Sequence, residues 1–127
     1  MIASKSQPAV VHPQPTFSGE MVLQLPCSGR LGTDEELYFR HGIQDIMTDF
    51  FELEPVGKVT GGDIGRGTMN IFMTVAPEAH EKVLTALLQV INVLKIADIA
   101  VIAYAVNVNA ELEVLWPKDY ADAFSLL

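Results

Sequence analysis

The hydrophobic period of the chain changes abruptly at Pro77. Upstream, "TMNIFMTV" (68–75) alternates: Met69, Ile71, Met73 and Val75 share one side, and Asn70, Phe72 and Thr74 the other. Downstream, Ala79, Val83, Leu87, Val90, Ile91 and Leu94 recur at helical spacing, in a stripe widened by Leu84 and Leu88. Successive side chains alternate across a strand, whereas a helix gathers them every three to four residues. Proline is tolerated in the first helical turn, where its missing N–H is not needed. A half-apolar strand running into a helix with one apolar stripe must bury both, so the chain needs a layer of helix on sheet.

The remaining segments extend this pattern. "EMVLQLPC" (20–27) alternates, with Met21, Leu23, Leu25 and Cys27 opposite Glu20, Val22 and Gln24. Thr33-Asp34-Glu35-Glu36 reads as a capping box that opens a helix. Phe39, Ile43, Ile46, Met47 and Phe50 follow at helical spacing, and the helix is expected to end at 51–53, ahead of Pro55. Residues 55–60 form a strand before the glycine-rich segment. Residues 98–106 are apolar at both parities, as expected of a strand covered on both sides. "ELEVLW" (111–116) returns as an extra strand, and "KDYADAFSLL" (118–127) is expected to be a short helix. Pro8, Pro13 and Pro15 make residues 1–18 an extended arm, leaving 19–127 as one domain. The order β-α-β-β-α-β plus a further strand predicts an α+β, ferredoxin-like two-layer sandwich. Its two helices cover one face of an antiparallel sheet. The other face would carry Phe72, Ile102, Tyr104 and Val106, a patch expected to be covered by a second copy in a homodimer.

The segment "VTGGDIGRGTMNIF" (59–72) raises the question of phosphate binding, because it holds Gly61, Gly62, Gly65 and Gly67. A phosphate loop needs a following helix N-terminus, and a P-loop also needs a Lys before Ser or Thr. Here a strand follows and that lysine is absent. A wide hairpin with positive-φ glycines and a bulge is the favoured reading. The alternative is a small-molecule site in which Gly62, Asp63, Gly65 and Arg66 grip an anionic ligand.

Charge is unevenly placed. Residues 33–54 hold seven acids (Asp34, Glu35, Glu36, Asp45, Asp49, Glu52, Glu54) against one base, Arg40, while the rest of the chain holds nine against seven. The first three acids suit the positive end of the helix dipole; Asp49, Glu52 and Glu54 lie near the negative end and gain nothing there. Asp45, Asp49, Glu52 and Glu54 are therefore the expected contacts for a basic protein partner, which opposite charge would steer in. The other reading is a solvated acidic face. A formal charge of −8 argues against nucleic acid. Hydrophobic residues make up 50% of the chain and mean hydropathy is +0.29. No apolar run reaches the length of a membrane span, so self-association is the expected outlet.

Cys27 is the sole cysteine, which excludes an internal disulfide. With no apolar leader in residues 1–15, the expected setting is the reducing cytoplasm. No cofactor motif and no metal-ligand spacing is present, so neither is expected. His12, His41 and His80 have no nucleophile or acid at a diagnostic spacing, and Tyr38, Tyr104 and Tyr120 read as packing residues. A non-enzymatic role is therefore the favoured expectation, with an enzyme using His41 or His80 and a nearby acid as the third reading.

"GGDIGRGTMNIFMTV", the Pro-led helix, "ADIAVIAYAV" and "EVLWP" together resemble a set of small acidic bacterial proteins of unassigned function. The resemblance spans residues 33–117 and implies a ferredoxin-like fold without an established activity. The uneven charge, the apolar excess and the lack of a catalytic constellation make a homodimeric, non-enzymatic interaction module the leading expectation; some proteins of this size and charge are immunity proteins, and by that analogy an inhibitor is one form it could take. Arg66 departs from the small or polar residue the resemblance would place at the hairpin tip.

Overall fold

The computed structural model describes residues 17–27, 33–65, 67–120 and 124–126. The expected arm (1–18, save Phe17 and Ser18) and Arg66 lie outside them. The elements run β1 (Gly19–Pro26), α1 (Asp34–Leu53), β2 (Gly57–Gly65), β3 (Thr68–Val75), α2 (His80–Val93), β4 (Val101–Ala105) and β5 (Glu113–Trp116). A short 3-10 turn, Pro77–Ala79, leads into α2. All strands join one sheet in the order β2-β3-β1-β4-β5, with every neighbouring pair antiparallel. The result is an α+β domain with two helices on a five-stranded sheet.

One apolar cluster joins the layers. It takes Ile43, Met47 and Phe51 from α1, and Val83, Leu87 and Ile91 from α2. From the sheet it takes Met21, Leu23, Leu25, Met69, Ile71, Met73, Val75 and Ile102. All of these sheet residues except Ile102 are the alternate residues that the period-two reading assigned to one side of β1 and β3.

For β4 that reading is corrected. Leu23 pairs with Ile71 on one side and Ile102 on the other, and Met21 pairs with Tyr104. Directly opposed residues share a face, so Ile102 and Tyr104 lie beneath the helices. Phe72 pairs instead with Val22, which in turn opposes Ala103. Phe72, Ile102, Tyr104 and Val106 thus do not form one patch: Ile102 is fully buried, and Val106 lies one residue beyond β4. Because 98–106 is apolar at both parities, only cross-strand register could decide its orientation.

The glycine-rich segment forms a bulged hairpin with positive-φ glycines, as expected, but its glycines extend the strand rather than widen the turn. β2 runs through Gly65 with a bulge between Val59 and Gly61, and the turn to β3 is short. Gly67, at φ 85°, supplies the left-handed residue of that turn. Residues 98–100 are turn and coil rather than strand, and the described residues of 118–127 form no helix.

Helix α1 starts as its sequence dictates. The Thr33 hydroxyl accepts from the Glu36 amide at 3.1 Å, and the Glu36 carboxylate accepts from the Thr33 amide at 2.9 Å. Helix α2 ends in a Schellman motif: the Ile96 amide donates to Ile91 O at 2.8 Å and the Lys95 amide to Asn92 O at 3.1 Å. Lys95 takes the left-handed position, at φ 62°, where a side chain is strained. Lys95→Gly is expected to stabilise the domain by about 0.5–1 kcal/mol. Chemical denaturation measures this as a higher midpoint.

Candidate docking surfaces

The sequence pointed to three sites, and the structure separates their residues. Asp45, Asp49 and Glu52 are exposed on α1. Glu54 faces elsewhere: its carboxylate lies 3.5 Å from Lys82 Nζ, tying the end of α1 to α2. Both partners are about half exposed, so the pair adds little stability. Asp45 shares a hollow of about 320 Å3 with His41, Gln44, Thr48 and the β2 bulge, on the sheet-edge side of α1.

Of the four residues expected to hold an anion, Arg66 lies outside the described residues, and Gly62 and Asp63 do not share a face of the sheet. Gly62 opposes Ile71 beneath α1, whereas Asp63 opposes Asn70 on the other face. Gly65 ends β2. Gly62 has a packing role. A Cβ there would lie 2.7 Å from Arg40 Nη1 and 2.6 Å from the Asn70 carbonyl oxygen. The missing side chain makes room for the Arg40 guanidinium between α1 and β2. Among the described residues, Nε and Nη1 of Arg40 are buried there without a hydrogen-bond acceptor, an arrangement that costs desolvation energy.

Burial, followed by the negative charge of Glu36, raises the pKa of the Cys27 thiol. It is therefore a poorer thiolate at neutral pH than a free cysteine. His80 stacks on Tyr104 with ring centroids 4.5 Å apart, and its Nδ1 lies 2.8 Å from Pro77 O. Because Pro77 O can only accept, Nδ1 carries the proton in this contact. Among the described residues no group of three or more His, Cys, Asp or Glu could hold a metal ion. None of their helices is long and apolar enough to cross a membrane.

Two surfaces stand out. The first is the outer side of the helical layer. Tyr38, Phe39, Ile46 and Leu53 of α1 and Val93 of α2 are exposed, Leu53 by 85% and Val93 by 77%. Between the helices Ile46, Phe50, Ala86, Val90 and Val93 line an apolar groove of about 300 Å3. Beside it Phe50, Glu81, Lys82 and Gln89 border a second hollow. The helical repeat sets Asp49 beside Ile46, three residues earlier on the same helix. The α1 stripe read from the sequence is thus wider than the sheet can cover, and its excess forms one wall of the groove.

The second surface is the sheet face away from the helices, where a polar row crosses three strands. Asp63, Asn70 and Gln24 are directly opposed on β2, β3 and β1. Asn70 Nδ2 donates to Asp63 Oδ1 at 2.8 Å, and Gln24 Nε2 donates to Asn70 Oδ1 at 3.0 Å.

No protein-family model, curated protein or solved structure matches the chain. The resemblance drawn from the glycine hairpin and "EVLWP" has no counterpart among them.

Proposed function

We propose that the chain is a protein-interaction module that docks a basic, amphipathic helix in the groove between α1 and α2. The proposal includes the fold: a ferredoxin-like sandwich extended by β5. Supporting that part, β3 lies between the parallel strands β1 and β2, and β1 between the parallel strands β3 and β4. This is the interleaving of a split βαβ pair.

The observation that carries the functional part is the apolar groove on an acidic helical layer. Exposed apolar residues gathered in one place mark interaction sites more often than scattered ones do. The helix-in-groove mode uses apolar anchors every three or four residues. Glu81 on α2 borders the hollow beside the groove; with Asp49 and Glu52 on α1, and Asp45 on the sheet-edge side of α1 acting only through the long-range field, it would speed encounter with a cationic partner and disfavour an anionic one. An inhibitor of a basic effector is one form of such a module.

The test is a titration with a designed Lys/Leu amphipathic helix, with a Glu/Leu helix of the same apolar pattern as control. The cationic helix is expected to bind, and to bind less tightly at high salt. Ile46→Asp with Val93→Asp is expected to weaken it by tenfold or more, on the order of 1.4 kcal/mol. Asp49→Lys should mainly slow association. Equal binding of both helices, or binding unaffected by the Ile46 and Val93 changes, contradicts the proposal.

A further inference from the structure

The row Asp63–Asn70–Gln24 does not end within the sheet. Gln24 Nε2 also donates to the backbone oxygen of Ser125 at 2.8 Å, and Asn70 Nδ2 lies 3.4 Å from the backbone oxygen of Leu126. Each carboxamide therefore directs one N–H along the row and the other at the backbone of segment 124–126. An amide nitrogen has two hydrogens, so both are committed. Phe124 and Leu126 of the segment are half-buried, and Ser125 between them is exposed.

Burial gives this arrangement its meaning. Asn70 is 1% exposed and Gln24 8%, on a face whose other central residues, Val22 and Ala103, are apolar and buried. Burying a carboxamide costs free energy unless its groups are hydrogen-bonded. Apolar side chains would cover a sheet face at lower cost. What two buried amides add is selection: they accept an occupant only if it presents carbonyl oxygens at the right spacing. Asp63 fixes the row's direction, because its carboxylate can only accept from Asn70 Nδ2, which orients the Asn70 amide and through it that of Gln24.

We propose that this face is a receptor for an extended peptide, read through its backbone carbonyls by Gln24 and Asn70, and that segment 124–126 is the resident ligand held in cis. The ligand class is an extended segment with two apolar side chains flanking a small polar one. The site is separate from the helical groove, on the opposite side of the sheet, and does not depend on it.

The test uses the full chain. Phe124→Asp with Leu126→Asp puts charge where the segment is half-buried and releases it. A labelled peptide of residues 118–127 is then titrated. The released variant is expected to bind it saturably, with shifts in the Gln24 and Asn70 side-chain amide signals. Wild type should bind roughly tenfold or more weakly, because its own segment competes at high effective concentration. Gln24→Met in the released chain keeps the volume but removes both donors, and should abolish binding. Should the double variant not fold, the same peptide in large excess over isotope-labelled wild type is expected to shift the backbone signals of Ser125 and Leu126. The inference is overturned if the folded released variant does not bind, if Gln24→Met binds equally well, or if excess peptide leaves those signals unchanged.

Discussion

Leu23→Ala is expected to cost about 2–5 kcal/mol. Leu23 is fully buried on β1, the middle strand of the sheet, and is flanked by Ile71 and Ile102 at no more than 1% exposure. Truncation removes apolar atoms from a site bounded by strands on both sides and helices above, so neighbours cannot easily collapse into the gap. Against a total stability of about 5–15 kcal/mol for a domain, this is a large fraction. Ile46→Ala, at a position 44% exposed, is the internal comparison and should change stability by no more than about 0.5 kcal/mol. Urea denaturation with an unchanged slope measures both. A cost below 1 kcal/mol for Leu23→Ala would mean that β1 does not hold the centre of the core.

Gly62→Ala should be destabilising by about 1–3 kcal/mol although it adds a single methyl group. The new Cβ would meet the Asn70 carbonyl oxygen at 2.6 Å and Arg40 Nη1 at 2.7 Å. A long side chain can move aside; a carbonyl on the adjacent strand cannot do so without distorting the β2–β3 pairing. Gly62→Ala combined with Arg40→Ala is therefore expected to stay destabilised relative to Arg40→Ala alone. Full rescue by the second change would show that the side chain, and not the strand, sets the limit. Gly61→Ala is a poor control, since Gly61 sits at φ 148°.

Sequence periodicity carried the layers and the orientation of β1, β3 and both helices, because polar residues interrupt their apolar positions: Glu20 and Gln24 in β1, Asn70 and Thr74 in β3. It failed where both parities are apolar. In β4 nothing local distinguishes Ile102 from Ala103, and only pairing with Leu23 places Ile102 under the helices. The side of the strand to which Gln24 and Asn70 belong was legible; their alignment in one row with Asp63 was not, since register depends on contacts distant in sequence. Gly62 read as turn or anion-loop material because the partner that explains it, Arg40, lies on another element. The groove had a readable signal. Phe39, Ile43, Ile46, Met47 and Phe50 span more of α1 than one sheet contact can bury, and Phe39 and Ile46 are the residues left outside. Segment 124–126 had none, being too short for any period and bonded to the sheet through its backbone oxygens.

The cleft between the helices, and no other face, is the proposed receptor for a cationic amphipathic helix. Backbone amide signals recorded while the Lys/Leu helix is titrated in test it most directly. The largest shifts are expected at Ile46, Phe50, Ala86, Val90 and Val93, which line the groove, with smaller ones at Asp49 and Glu81, and all should shrink at high salt. Shifts centred on β2 or β5, or the same map with the Glu/Leu helix, would contradict it.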